Sequence, residues 1–401
     1  MLRPAERARL SASGIVTLPP APDLVAPAGG MVDVSVVIPS YNYGHFIDEC
    51  LASIYAQRGV RYEIILVDDG STDDTATRVA PHAARITYLR QDNQGQSAAR
   101  NTGLAACRGR YIQLLDADDL LGPGSLAARV AALQTHGERA MVVCRNQFFS
   151  ELGSGPTPRT QGAWGLVERD LLIHLLRLNI APPHAFLMPR MVLDDIGGFD
   201  ASYRGAEDYD FFLRACAAGY LPTYCATGLV YYRKHTTSMG ATKARNRAYP
   251  FDVLVHRKKH QGGYGATLAA ALETPAGALA LSDGVLYTAG IIDPAVNAAG
   301  RAEMVAIAKA RLLRFMALAE QAGGTLNGTA RLCLARIASR ADALRRIADP
   351  ELTELVARVL RRHHRWPQVA ADLLRRFPYA SYDDRALLAA TMRRFLSAVR
   401  R

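Results

Sequence analysis

From Val32 onward, short runs of β-branched and aliphatic residues alternate with stretches in which apolar positions recur every three or four residues. That alternation predicts βαβ units and a largely parallel sheet. The apolar runs place strands at residues 34–38, 63–67, 86–89 and 111–115. Helices fall between them at about 45–57, 73–80 and 96–106, each opening near a Gly, Asn, Ser or Asp suited to a turn or cap. The pattern weakens after Glu138. It then predicts a strand at 141–144, a Gly/Pro-rich loop at 152–165, a helix at 168–178, a strand near 185–188, a helix from Asp208 to Ala218 and a strand near 229–232. Beyond about Ala244 the strand signal ends. Alanine, leucine and arginine recur there at helical spacing, punctuated by Pro250, Pro275, Pro294, Pro350, Pro367 and Pro378, which predicts several helices of about 12 to 20 residues.

At 401 residues the chain exceeds the size at which one hydrophobic core stops growing, so at least two packed units are expected. With 49% apolar and 21% charged residues it reads as an ordinary globular chain and not as a disordered, collagenous or disulfide-stapled one. Its six cysteines contain no Cys-x-x-Cys pair, which predicts reduced core thiols in a cytoplasmic protein. The most apolar window, 268–286, is interrupted by Glu273, Pro275 and Asp283, against a membrane span. Residues 1–31, with Pro19, Pro20, Pro22 and Pro27, read as an extended, disordered Pro/Ala-rich leader without a signal-peptide core.

The location of the net charge of +11 changes this picture. Residues 301–401 carry 20 Lys and Arg against 9 Asp and Glu, while the first 300 are balanced. The chain therefore reads as a leader (1–31), a neutral α/β domain (32–243) and a basic, all-helical domain (244–401), and only the last suggests an anionic partner.

Three polar clusters follow three of the expected strands: Pro39-Ser40-Tyr41-Asn42, Asp68-Asp69-Gly70-Ser71 and Asp116-Ala117-Asp118-Asp119. Ligands of open α/β sheets bind outside the carboxyl ends of the strands, so the clusters should converge on one crevice. Asp and Asn also suit turns and caps, but five carboxylates at one sheet edge need a cation or donors to neutralise them. Hard carboxylate oxygens without cysteine favour Mg²⁺ or Mn²⁺, which commonly bind substrate phosphates as well. A nucleotide diphosphate fits. Gly-x-Gly-x-x-Gly after the first strand and Gly-x-x-x-x-Gly-Lys-Ser/Thr are both absent, against a Rossmann dehydrogenase and a P-loop NTPase.

The series Val36-Val37-Ile38-Pro39-Ser40-Tyr41-Asn42, Val67-Asp68-Asp69-Gly70-Ser71-Thr72-Asp73, Gly95 through Ala99-Arg100-Asn101, and Leu115-Asp116-Ala117-Asp118-Asp119 resembles family 2 glycosyltransferases in both order and spacing, over about residues 32–235. The resemblance implies an inverting enzyme with a GT-A fold, a Rossmann-like, mostly parallel sheet. It implies that Pro39 and Tyr41 border the nucleobase with Asn42 beside them, and that Asp69 accepts a hydrogen bond from the base, most often uracil. Asp116 and Asp118 match the family's Asp-x-Asp, with Asp118 as direct metal ligand and Asp116 nearer the ribose or sugar. Arg100 matches a position from which it can approach the donor; a structural arginine is the competing reading.

Gly205-Ala206-Glu207-Asp208-Tyr209-Asp210 resembles the family's Glu-Asp motif, in which the aspartate aligned with Asp208 is the general base and Glu207 contacts substrate. Helical spacing supports this independently, because Asp208, Phe211, Phe212 and Ala215 share one face. An acidic first turn that complements the helix dipole accounts well for Glu207 and less well for Asp208. Tyr232-Arg233-Lys234-His235 with Ser238 resembles a Tyr-Arg-x-His-x-x-Ser ending whose histidine can ligate metal; a structural histidine near a strand end is the competing reading. The expectation is thus transfer of a sugar from a nucleotide-diphospho-sugar, uridine-linked, to a glycan, lipid-linked or protein acceptor, with Mn²⁺ or Mg²⁺, in cell-surface polysaccharide or glycoconjugate synthesis. A nucleotidyltransferase on a similar sheet and a non-catalytic nucleotide-sugar-binding adaptor are the alternatives. No nucleic-acid motif accompanies the basic tail; a solvated face that keeps a helical domain soluble and peripheral contact with an anionic membrane at its cytoplasmic face are the two readings of it.

Overall fold

Two segments of the leader, β1 (Arg9–Leu10) and β2 (Val16–Leu18), pair antiparallel with each other in the computed structural model, and β2 pairs antiparallel with the strand Thr87–Arg90. For these five residues the expectation of disorder is corrected. The physical reason is an open sheet edge, whose unpaired N–H and C=O groups accept any short extended segment rich in β-formers. The structure describes residues 9–10, 16–18, 32–150, 160–161, 171–235 and 250–363. The rest of the expected leader, most of the 152–165 loop, Ser238 and the basic stretch after 363 lie outside these residues.

The described residues group into two units, the first built from chain segments 1–160, 181–211 and 220–234 and the second from 161–180, 212–219 and 235–401. In the first, β3 (Val34–Ser40) is buried along its whole length, the condition under which a parallel strand reads as a continuous apolar run. Helix α1 (Gly44–Tyr55) leads to β4 (Tyr62–Asp68), α2 (Thr75–Val79) to β5 (Thr87–Arg90), and α3 (Gln96–Ala105) to β6 (Tyr111–Leu114). All four strands are parallel, with β3 and β4 central between β5 and β6. The elements agree with the apolar pattern to within a few residues. Helix α3 lies so close to β3 that a Cβ on Gly103 would come within 2.4 Å of the Val37 side chain.

Next come β7 (Leu120–Leu121), α4 (Ser125–His136), β8 (Ala140–Phe149), the two-residue β9 (Thr160–Gln161), α5 (Leu171–Arg177), β10 (Phe186–Pro189), α6 (Val192–Ile196), α7 (Glu207–Ala217) and β11 (Leu221–Arg233). The sheet order is β1-β2-β5-β4-β3-β6-β10-β8-β11-β7. Strand β10 runs antiparallel to both β6 and β8, while β8 and β11 are parallel. An antiparallel strand starts at the edge where its parallel neighbours end, so β10 brings the residues before it to the carboxyl ends of the sheet.

From residue 250 every described element is a helix: α8 (Pro250–His260), α9 (Ala266–Leu272), α10 (Pro275–Ile291), α11 (Pro294–Gln321), α12 (Gly328–Ser339), α13 (Ala341–Ile347) and α14 (Pro350–His363). The most apolar window of the sequence falls on α9 and α10. Helix α10 is buried nearly all round and packs against α5, α11, α12 and α13, as a helix without a polar face must. Thr274 caps it by accepting a hydrogen bond from the Gly277 N–H at 3.0 Å. None of the helices among the described residues is long and apolar enough to cross a membrane.

One charge sits inside this helix. Asp283 is fully buried and receives the guanidinium Nε of Arg177 and, at 2.8 Å, that of Arg340. Neighbouring Gly284 permits the approach, since a Cβ there would come 2.0 Å from the Arg177 carbonyl oxygen. Burial alone raises the pKa of this carboxyl; Arg177 and Arg340 overcome it, with Arg336 behind them, and hold the group well below the usual carboxylate range. A depressed folded-state pKa contributes stability that is present above the unfolded-state value and is lost as pH falls. Stability to urea should therefore decline below about pH 4 in the wild type. Asp283→Asn should lose about 3–5 kcal/mol at pH 7, because it leaves buried guanidinium groups without their anion, and should flatten the acid limb of the profile.

Candidate active site

The two adjacent aspartates that end β4 have different partners. Asp68 is fully buried; its Oδ2 accepts from the Tyr88 hydroxyl and Arg90 Nη1, both at 2.6 Å, and its Oδ1 from the Ser71 N–H at 2.7 Å. Asp69 Oδ1 accepts from Gln91 Nε2 (2.7 Å) and the Gln94 N–H (2.9 Å), and its Oδ2 from the Gly95 N–H (2.8 Å). Three of about four lone-pair sites of Asp69 are thus used to hold the 91–95 loop, and one is left for a ligand. Gly70, at φ +78°, is needed here, because a Cβ would meet the Asn93 nitrogen at 2.8 Å.

After β3 the chain turns through Asn42, whose φ of +56° lies in the left-handed region that asparagine tolerates. Its Oδ1 accepts from the Thr72 N–H at 2.8 Å and its own N–H donates to Ser71 Oγ at 2.9 Å, so Asn42 ties the first two clusters together. Pro39 is buried in register with Val67, whereas Tyr41 stands 46% exposed at the rim. An exposed aromatic ring beside a polar crevice is a surface on which a planar base can stack.

Arg100 joins the third cluster to α7. Its side chain is buried, Nη2 donates to Asp116 Oδ1 at 2.9 Å and Nη1 donates to Glu207 Oε1 at 2.8 Å, and the guanidinium lies 5.2 Å from the centre of the Phe199 ring. Burial opposes the charge, but Asp116, Glu207 and Asp208 outweigh it and hold the pKa above the ordinary arginine value. Asp208 accepts from the Tyr209 N–H through Oδ1 at 2.8 Å. Gln96 Nε2 donates to Asp116 Oδ1 at 3.1 Å, linking the loop held by Asp69 to the Asp116 carboxylate. Of the residues expected from the sequence, Arg100, Asp116, Glu207 and Asp208 are thus brought together.

Asp118 and Asp119 lie beside the end of β11. The Arg233 N–H donates to Asp119 Oδ1 and its Nε to the Asp118 carbonyl, both at 2.8 Å, and its Nη2 reaches Glu49. Tyr43, Cys50 and Tyr232 all titrate above their ordinary values, first through burial and then through the fields of Asp116, Asp118 and Asp119. Burial also raises the Asp119 carboxyl, with His184 opposing and Asp118 and Asp116 reinforcing.

Asp116, Asp119 and His184 each bring one ligand atom to within 4.8 Å of the others. Asp119 Oδ2 and both ring nitrogens of His184 are buried without a hydrogen-bond partner. Two carboxylates and an imidazole gathered this closely fit a divalent cation, and two hard oxygens with one nitrogen suit Mn²⁺ better than Mg²⁺. His235 belongs to the second unit.

Sequence reasoning gave no role to Asp119, His184, Gln96 or Arg233. Asp119 was visible as the third acid of its run and Arg233 as a member of the terminal motif. His184 was not, because its importance comes from the direction of β10, and a single apolar run carries no sign of direction.

Residues 35–197 match the family model described as glycosyl transferase family 2. The chain is 46% identical over 217 residues to the uncharacterized glycosyltransferase EpsJ of Bacillus subtilis, covering 51% of this chain and 62% of EpsJ. It is 30% identical over 189 residues to chondroitin synthase of Escherichia coli, covering 46% of this chain and 27% of that protein. The chain spans between 24% and 58% of the length of the first three curated relatives it matches. Among solved structures, S. aureus TarS 1-349 in complex with UDP-GlcNAc superposes with a TM-score of 0.52 at 17% identity, over 80% of this chain and 92% of that one, a likeness of fold.

Removing the buried guanidinium should be costly whatever the substrate. Arg100→Ala leaves Asp116 and Glu207 facing each other unpaired and should lower the unfolding free energy by about 3–5 kcal/mol. Arg61→Ala, which breaks the exposed pair with Asp33, should cost under about 1 kcal/mol. Parallel urea titrations of the two variants check the contrast.

Proposed function

We propose, for a chain whose residues 35–197 belong to glycosyl transferase family 2, that it transfers a sugar from a nucleotide-diphospho-sugar, with uridine as the nucleoside, to an acceptor hydroxyl with inversion at the anomeric carbon. The observation that carries this reading is the gathering of Asp116, Glu207 and Asp208 around Arg100 where parallel strands end. Pro39, Tyr41 and Asn42 border the base and the remaining lone pair of Asp69 faces it. Asp116, Arg100 and Glu207 line the sugar side. The likeness to a relative named for chondroitin synthesis supports a cell-surface polysaccharide or glycoconjugate as the product.

In the proposed step the acceptor oxygen attacks the anomeric carbon while Asp208 takes its proton. The bond from that carbon to the phosphate oxygen breaks, and the nucleoside diphosphate leaves with the electron pair. A base positioned in this way contributes about 10² to 10⁴ in rate. Asp118 is proposed as a ligand of a divalent ion, which would supply positive charge to the departing diphosphate; His235, the nitrogen donor the resemblance implies, competes for that role with a histidine beside the acidic cluster. Arg100 pairs with Asp116 and Glu207 and holds both in place. The basic excess of the last hundred residues is proposed to hold the protein at anionic lipid, at about 1 kcal/mol per facing Lys or Arg.

Incubation with a panel of nucleotide sugars and Mn²⁺ tests the reading. Release of a nucleoside diphosphate is expected; pyrophosphate instead marks a nucleotidyltransferase, and binding without turnover an adaptor. Asp208→Asn should bind donor nearly as the wild type does while transfer falls by about 10² or more, since the amide cannot accept the proton. Asp118→Ala should lose the Mn²⁺-dependent part of the thermal stabilisation by UDP.

A further inference from the structure

We propose that His184 supplies a nitrogen ligand to the divalent ion, together with Asp119 and Asp116, in a site that the Asp-x-Asp pattern alone does not describe. The inference rests on the metal-assisted transfer proposed above. It places a metal ligand on a segment that no motif marks, the single 3₁₀ turn Pro183–Ala185 just before β10.

Topology brings the residue there. Leu187 pairs with Gln113 in the antiparallel register of β10 and β6. Continued by three residues, that register carries His184 alongside Asp116. The imidazole is fully buried, 5.4 Å from the Tyr232 ring centre, and its Nδ1 comes to 2.8 Å from Asp119 Oδ2. The two atoms lie at ion-pair separation, and the second ring nitrogen, Nε2, is buried without a partner. With Asp116 they bring three ligand atoms within 4.8 Å of one another, and a nitrogen and an oxygen this close also have the separation of two ligands of one ion, about 3 Å apart around a centre about 2.1 Å from each.

The partners of each ligand support the same assignment. Groups that bind metals are usually oriented by hydrogen bonds on the atom that does not face the ion. Asp116 is held through Oδ1 by Gln96 and Arg100. Asp119 is held through Oδ1 by the Arg233 N–H, which leaves Oδ2 on the side of His184. The His184 segment is held through its backbone carbonyl, which accepts from Gln113 Nε2 at 2.9 Å and Arg129 Nη1 at 3.3 Å. Both of these side chains are fully buried. Gln113 and Arg129 are positioning residues in this scheme. Entry is from the side of Asp116, the one member of the group with partial exposure.

The test uses the full chain with Mn²⁺ alone and reads the metal directly. Pulsed EPR of bound Mn²⁺ should show ¹⁴N modulation in the wild type. His184→Gln should abolish it and weaken Mn²⁺ binding at least about tenfold, while His235→Gln keeps both signal and affinity. The proposal is overturned by a wild type without nitrogen modulation, by modulation that persists in His184→Gln, or by its loss in His235→Gln. The last outcome decides the matter even if His184→Gln fails to fold. These readouts do not involve transfer, so failure of the glycosyltransferase reading shows separately, as the absence of nucleoside diphosphate release from every donor tried.

Discussion

A guanidinium buried between two carboxylates is the interaction on which the crevice depends. Without Arg100, the acids at the end of β6 and the start of α7 would repel one another in a poorly solvated space. Arg100 reaches both through opposite nitrogens, a geometry that the planar fork of arginine allows and the point charge of lysine does not. One side chain thereby sets the relative position of α3, the third acidic cluster and α7, and it converts three segments distant in sequence into one electrostatic unit. The cost of burying the cation is offset by its two carboxylates, Glu207 buried beside it and Asp116 partly exposed.

Much of this was legible in the sequence because the first unit is built from parallel strands that are covered on both faces. Continuous apolar runs such as Val36-Val37-Ile38 and Ile64-Ile65-Leu66-Val67 have few alternative structures, and the acids that follow them stand out against them. Asp68 and Asp69 show where legibility ends. They are identical in type and adjacent, yet one is consumed by Tyr88 and Arg90, which come from the next strand, while the other organises a loop and keeps a lone pair. Only tertiary contacts separate them. The paired leader strands and His184 were hidden for related reasons, since an open edge and the direction of a strand are properties of the assembled sheet. Helix α4 was not among the expected elements although its buried Leu126, Val130 and Leu133 recur at helical spacing; a single arginine, Arg129, falls among them and is itself buried.

The second unit solves a different problem. A helix as apolar as α10 would be a liability on a surface, and placing Asp283 in its middle would ordinarily make matters worse. Enclosed by α5, α11, α12 and α13, the same carboxylate becomes a reference point that selects which helices can pack there, because only those that present Arg177 and Arg340 satisfy it. The buried Lys259, whose Nζ donates to the Leu176 carbonyl at 2.8 Å, fixes the end of α5 in the same way. Polar groups in this core act on specificity more than on net stability.

The division of the chain between the two units bears on how the protein is made. Helix α5 emerges during synthesis about a hundred residues before α10, the partner that covers Leu171, Leu175 and Leu176. Strand β11 closes against β8 only after that helix has been left waiting. Nascent chains paused in this interval carry an apolar helix with no place to dock, which makes them natural clients for chaperones. A cut in the gene near residue 244 would freeze that state permanently, so the α/β unit cannot be obtained simply by shortening the chain at its composition boundary.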